Sequence, residues 1–141
     1  MDIRLVSNKQ EKDDAFHVRR VVFVEEQNVP EELEIDEDDQ KAIHLVGYEE
    51  NKPVAAARLR FVDGYGKLER ICVMKDYRGN SFGKQMILFM EEIIKEHDRD
   101  QAKLNAQTHA EDFYQSLHYV TVSDEFMDAG IPHVTMIKKL K

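Results

Sequence analysis

The spacing of apolar side chains divides the chain into ten elements of two periods, two and about three and a half. Residues 3–6 (Ile-Arg-Leu-Val) predict a first strand, and residues 11–27 predict a helix that carries Ala15, Val18 and Val22 on one side. Pro30 ends that helix. Strands are predicted at 42–48 and 54–62, with the polar run Glu49-Glu50-Asn51-Lys52-Pro53 between them, and Asp63-Gly64 opens a hairpin turn into a strand at 67–74. Its end, Ile71-Cys72-Val73-Met74, is apolar on both faces and suits a strand covered on both sides. Phe82, Met86, Phe89 or Met90, and Ile93 or Ile94 then mark a helix running to about Lys95. A strand at 102–107, a short helix at 109–117 started by a Thr108/Glu111 capping box, and strands at 119–122 and 134–137 complete the order β-α-β-β-β-α-β-α-β-β. The predicted class is α/β: a mixed sheet with helices against it.

The most informative junction is the one between the strand at 67–74 and the helix after it, Asp76-Tyr77-Arg78-Gly79-Asn80-Ser81-Phe82-Gly83-Lys84. A helix start exposes unpaired N–H groups and a partial positive charge, so carboxylates stabilise it and cations do not. Arg78 and Lys84 stand there instead. A polyanion such as a diphosphate lying over the N–H groups accounts for them, and Gly79 and Gly83 let the backbone come close to it. The alternative is a helix capped by Asn80 or Ser81 with two solvated cations beside it. A Walker loop is excluded, because three residues rather than four separate the glycines and Gln85 follows Lys84; a dinucleotide fingerprint fails as well, since it needs a third glycine and an acid about twenty positions on within a strand-helix-strand unit near the start of its domain.

Arg78-Gly79-Asn80-Ser81-Phe82-Gly83 resembles the Arg/Gln-x-x-Gly-x-Gly/Ala loop of the GNAT superfamily of acyl-CoA-dependent N-acetyltransferases, with Ser81 in place of the middle glycine. Asn105-Ala106-Gln107, Ala110, Phe113-Tyr114, Leu117 and Tyr119 are similar to the family's closing segment, with His118 in place of a glycine. Val22-Phe23-Val24-Glu25-Glu26-Gln27, Glu34, Asp36, Ala42, His44-Leu45-Val46, Glu69-Arg70-Ile71-Cys72-Val73 and Ala129-Gly130-Ile131-Pro132-His133 look like the small ElaA/YjcF-type branch. The resemblance spans essentially the whole chain. It implies the GNAT fold, a central mixed sheet whose fourth and fifth strands splay apart around the pantetheine arm of acetyl-CoA. Ile71, Cys72 and Val73 would then bond the pantetheine through their backbone, and Arg78, Gly79, Asn80, Ser81, Phe82, Gly83 and Lys84 would hold the diphosphate. Asn105 and Tyr114 would complete the coenzyme site, with the Val73 amide facing the thioester oxygen. Glu26, Glu34, Asp36 and His44 are the candidate acceptor contacts.

Acyl transfer from a thioester to an amine needs a neutral nucleophile, an oxyanion donor and a proton for the departing thiolate. Tyr114 stands where the family pattern puts a tyrosine near the coenzyme sulfur, and helical spacing turns it away from Phe113, Ala110 and Leu117, which can face the core. A tyrosine packed for its ring is the alternative. Glu69, a carboxylate in an otherwise apolar strand, is a candidate base if burial raises its pKa; otherwise it is a surface carboxylate paired with Arg70 or Lys67. His44 is a second candidate base or a structural histidine, and water a third route. Cys72 reads as a packed strand residue, because nothing is poised to activate it. Arg58 and Arg60 share a face of their strand and pair across the sheet, with the acidic segment or with an acidic acceptor.

Composition narrows the partners. A chain of 141 residues with 42% hydrophobic content suits one domain, 1–141. No apolar run reaches the roughly 20 residues that cross a bilayer, and no secretory stretch follows Met1, so a cytoplasmic, non-membrane protein is expected. The net charge of −8 is local: residues 31–39 hold seven acids and no base, which leaves −1 for the remainder. Such a segment repels nucleic acid and favours a cationic acceptor, unless it is simply solvated. Asp36, Asp38 and Asp39 lack calcium-loop spacing, and no metal is expected. The sequence thus predicts an acetyl-CoA-dependent N-acetyltransferase for a small or peptidyl amine, by direct attack in a ternary complex. A non-catalytic acyl-CoA sensor on the same fold is the opposing reading; a homodimer is compatible with either.

Overall fold

A computed structural model describes residues 1–140. Strands β1 (Asp2–Leu5), β2 (Ile43–Glu49), β3 (Lys52–Val62), β4 (Tyr65–Val73), β5 (Gln101–Gln107), β6 (Val120–Thr121), β7 (Phe126–Asp128) and β8 (Ile131–Lys139) form one sheet in the order β1-β2-β3-β4-β5-β8-β6, with β7 also on β8. All pairings are antiparallel except β4 with β5. That parallel pair is short, joining Gly66, Lys67 and Leu68 to Ala102, Lys103 and Leu104 before the strands diverge. The expected splay is therefore present, and it opens the sheet beside the second half of β4.

Helix α1 (Lys9–Arg19) begins two residues before the expected start because Asn8 caps it, accepting from the Glu11 amide at 2.8 Å, while Glu11 reaches back to the Ser7 amide at 2.8 Å. The helix then widens into a π-type segment, Arg20–Glu26, which a 3.6-residue period does not foresee. Two-residue turns with positive φ at both positions, Glu50-Asn51 and Asp63-Gly64, close the β2–β3 and β3–β4 hairpins. The first is tighter than the polar run suggested, so β3 starts at Lys52. β7 and most of β8 were not anticipated. The Thr108/Glu111 capping box does not form: Thr108–Ala110 is a 3₁₀ turn, and the Glu111 carboxylate accepts from the Thr121 hydroxyl instead.

Alternating residues of the sheet feed two cores. Leu45, Ala55, Ala57, Leu59 and Leu68 pack under α3 (Phe82–Glu96), whose Met86, Ile87, Met90 and Ile94 are fully buried. Val46, Ala56 and Cys72 face Ala15 and Val18 of α1 and Val22 of the π-type segment on the other side. Gly66 lets α3 lie close, since a Cβ there would sit 2.4 Å from Ile94 Cγ1. Among the described residues, no helix is long and apolar enough to cross a membrane.

The acidic segment is not a solvated loop. It folds into a short helix α2 (Glu31–Glu34) and a 3₁₀ turn (Glu37–Gln40), the latter closed by a reciprocal capping box between Asp36 and Asp39. Five of its seven carboxylates are taken up by arginines. Buried Arg19 bonds Glu34 at 2.9 Å and Asp39 at 2.7 Å, and buried Arg58 bonds Asp36 at 2.7 Å and Asp39 at 3.0 Å. Arg70 adds Glu34 and Asp36, Arg60 faces Asp38, and Arg20 pairs with Glu31. Burial works against the charge of Asp39, yet the bonds from Arg19 and Arg58 hold its carboxyl well below the usual carboxylate range.

Candidate active site

A bulge in β4 shapes the opening. Glu69 is opposite Arg58 and Cys72 opposite Ala56, so Arg70 and Ile71 together face Ala57, and Arg70 takes φ 55°. The Arg70 guanidinium holds this kink by donating to the Glu34 carboxylate at 3.0 Å and carbonyl at 3.2 Å, and to the Leu33 carbonyl at 3.3 Å. Beyond the bulge the Met74 amide donates to the Val54 carbonyl at 2.8 Å, toward β3. Alternation along the strand then turns the Val73 and Ile71 amides to the other edge, where β5 has moved away. The β5 ladder offers these amides no partner there.

After β4, a 3₁₀ turn (Lys75–Tyr77) leads through Gly79, at φ 85°, and Ser81, at φ 63°, into α3. Ser81 keeps the left-handed backbone that the resembling loop gives to glycine, and His118, at φ 77°, does the same in the closing segment. Neither side chain before α3 caps it. Ser81 makes no capping bond, and Asn80 donates backwards to the Tyr77 carbonyl at 3.1 Å. The first N–H groups of a fifteen-residue helix are thus left for a ligand, and the capped alternative is not adopted.

A cavity of about 870 Å³ lies over this turn, bounded by Ile71, Cys72, Val73, Arg78, Gly79, Ser81, Phe82, Gly83, Lys84 and Tyr114. Two expected coenzyme residues are elsewhere: Asn80 is folded back on Tyr77, and Asn105 borders the opposite cavity, its Oδ1 accepting from the Thr135 hydroxyl at 2.8 Å. Glu26, expected on the acceptor side, instead borders this cavity over the turn, where it grips Arg78 through two bonds of 2.6 Å. That hydrogen bonding lowers the Glu26 pKa, against the opposing effect of burial. Arg78 further donates to the Val73 carbonyl at 3.0 Å, which ties the loop to the end of β4. The Cys72 thiol points into the α1 layer toward the Ala56 carbonyl, and burial pushes it up to about 12, so it is no nucleophile.

A second cavity, of about 470 Å³, opens on the other side of Tyr114. Glu34, Asp36, Asp38, Glu69 and Asp128 border it together with Arg58, Arg60, Lys67 and Arg70. Glu69 does not have the raised pKa that would make it a base. Burial acts in that direction, but the hydrogen bonds of Arg60 and the charges of Arg58 and Lys67 outweigh it and bring the carboxyl down to about 2. His44 borders neither cavity: its Nε2 is bound to the Asp39 carbonyl at 2.8 Å, its ring meets Phe16 edge-on at 5.2 Å, and burial lowers its pKa. Glu34 and Asp36 reach the cavity already committed to arginines.

Tyr114, half-buried in α4 (Glu111–Ser116), separates the cavities and borders both; burial pushes its hydroxyl up to about 12. Phe113, expected in the core, is instead 40% exposed and forms part of the wall of the larger cavity. Gln27, Gln107 and His109 also border both cavities. Sequence reasoning gave them no role. Both stand in segments quoted for the resemblance, Asn105-Ala106-Gln107 and Val22 to Gln27, but the π-type segment that delivers Gln27 has a register no helical period reveals.

A family model for the acetyltransferase (GNAT) domain matches residues 8–140. The uncharacterized N-acetyltransferase YjcF of Bacillus subtilis is 47% identical over 135 residues, covering 95% of this chain and 96% of that protein. Protein ElaA of Escherichia coli is 33% identical over 89% of this chain and 85% of its own length. Its crystal structure superposes with a TM-score of 0.87, at 28% identity over 98% of this chain and 99% of that one. The fold is shared further with an aminoglycoside 6'-N-acetyltransferase complexed with coenzyme A, at TM-score 0.79 and 15% identity over 100% of this chain and 98% of that one. With a splayed β4–β5 pair, an uncapped helix start over a large cavity and this matching length, the chain belongs to the GNAT acetyltransferase family.

Proposed function

We propose that the protein moves an acetyl group from acetyl-CoA to a primary amine, small or peptidyl, by direct attack within a ternary complex. The observation that carries this reading is the meeting of two cavities at Tyr114, beside the β4 amides to which the β5 ladder offers no partner. The start of α3, with Arg78 and Lys84, is suited to the diphosphate, and the backbone of Ile71 and Val73 to the pantetheine, whereas Cys72, expected to join them, turns its backbone to Ala56 of β3. The Val73 amide is the donor for the thioester oxygen as it becomes an oxyanion, and Tyr114 supplies the proton to the leaving thiolate. The acceptor enters by the other cavity. Because arginines offset the acids there, it is selected by hydrogen bonding and shape rather than drawn in by surplus negative charge.

Calorimetry with acetyl-CoA and with CoA, followed by thiol-release assays over an amine panel, tests the reading. Micromolar binding with release for at least one amine is expected. No binding overturns it, and binding without release for any amine turns it into an acyl-CoA sensor.

A further inference from the structure

The amine that attacks the thioester has to shed protons where the two cavities join, so a base must reach that junction. Only two residues with ionisable side chains border both cavities among the described residues, Tyr114 and His109. Tyr114 is suited to giving a proton. Glu69 and His133 border the acceptor cavity alone, Glu69 held by three cations and His133 bound through Nδ1 to the Ile131 carbonyl at 2.7 Å.

His109 is oriented by a chain of hydrogen bonds that crosses three elements. Its Nε2 lies 2.6 Å from Oε1 of Gln107, the last residue of β5, and Gln107 Nε2 donates to Oε1 of Gln27, just past the π-type segment, at 2.9 Å. The Gln107 oxygen can only accept. Nε2 of His109 therefore carries the hydrogen, and the neutral ring presents its lone pair on Nδ1. We propose that His109 is the base for the acceptor amine, and that Gln107 and Gln27 are positioning residues that fix its tautomer. The inference rests on the acyl-transfer reading above.

The step balances without any further reactant. The ammonium passes one proton to His109 Nδ1, and the free amine adds to the thioester carbon. The C–S bond breaks as the N–C bond is completed, the thiolate takes a proton from Tyr114, and the nitrogen releases its second proton as the amide forms. Tyr114 is reprotonated and the imidazolium gives its proton to solvent, so one ammonium and one thioester yield amide, thiol and one proton.

Two probe nucleophiles separate base catalysis from a structural effect: ethylamine, protonated at pH 7.5, and hydroxylamine, already neutral there. For His109→Gln, kcat/KM with ethylamine should fall by about 100-fold or more, while that with hydroxylamine falls less than about fivefold and acetyl-CoA affinity by calorimetry is retained. Nitrogen-15 spectra of histidine-labelled protein should show His109 with hydrogen on Nε2, and Gln107→Leu should mix the two tautomers. Equal losses for both nucleophiles, or hydrogen on Nδ1 in the unaltered protein, overturn the proposal. Failure of the unaltered protein to bind acetyl-CoA, or to release thiol with either nucleophile, instead overturns the transferase reading and this role with it.

Discussion

Replacing Glu69 by glutamine separates a counter-ion from a base. The carboxylate is bonded by Arg58, Arg60 and Lys67 at 2.7 to 3.2 Å, and its pKa falls from the ordinary 4.5 to about 2. A shift of that size corresponds to roughly 3 kcal/mol at neutral pH; screening at the cavity wall reduces it to about 2 kcal/mol. The folded-state pKa is depressed, so this stabilisation is fully present above pH 4.5 and is lost as the pH falls toward 2. Urea unfolding should therefore show Glu69→Gln destabilised by about 2 kcal/mol at pH 7, with the gap to the unaltered protein narrowing by roughly half at pH 3. At 25 °C and pH 7.5 its kcat should fall by less than about tenfold, short of the 10²–10⁴-fold loss that follows removal of a general base. Equal stability at pH 7 combined with a thousandfold loss of turnover would refute the reasoning and restore Glu69 as the base.

Three further outcomes are expected. Arg78→Ala combined with Lys84→Ala removes two cations from the cavity over α3 and should weaken acetyl-CoA binding by about 10- to 100-fold; unchanged affinity in calorimetry would reject the diphosphate site. Tyr114→Phe should lower kcat by about 10²-fold with coenzyme affinity retained, and equal loss of both would make the tyrosine a packing residue. Met90→Ala, which empties a fully buried position under the sheet, should cost about 2–5 kcal/mol in denaturant unfolding, whereas a loss below about 0.5 kcal/mol would contradict the packing of α3.

Much of this was legible because it depends on local periodicity. The central strands and α3 follow from alternation and from Phe82, Met86 and Ile94 at helical spacing, and the uncapped turn before α3 follows from cations and glycines at a helix start. What escaped depends on tertiary partners. Glu69 reads as a candidate base until Arg58 and Arg60, from a neighbouring strand, are beside it. The seven acids of residues 31–39 read as a field acting on an acceptor until Arg19, Arg58 and Arg70 are found among them, since ion pairing over fifteen to thirty-six positions leaves no periodic trace. Asn105 and Gln107 stand two apart on β5, yet only the resemblance singled out the first, and only the cavities reveal the second.

The Arg70 kink joins two properties that enzymes commonly evolve apart. The same guanidinium that bends β4, and so aims the Val73 amide, is moored to Glu34 and Asp36, which wall the acceptor chamber. Under the proposed acyl transfer, a substitution at either acid that broadened the choice of amine would slacken the mooring and slow acylation, so one guanidinium couples selectivity to speed.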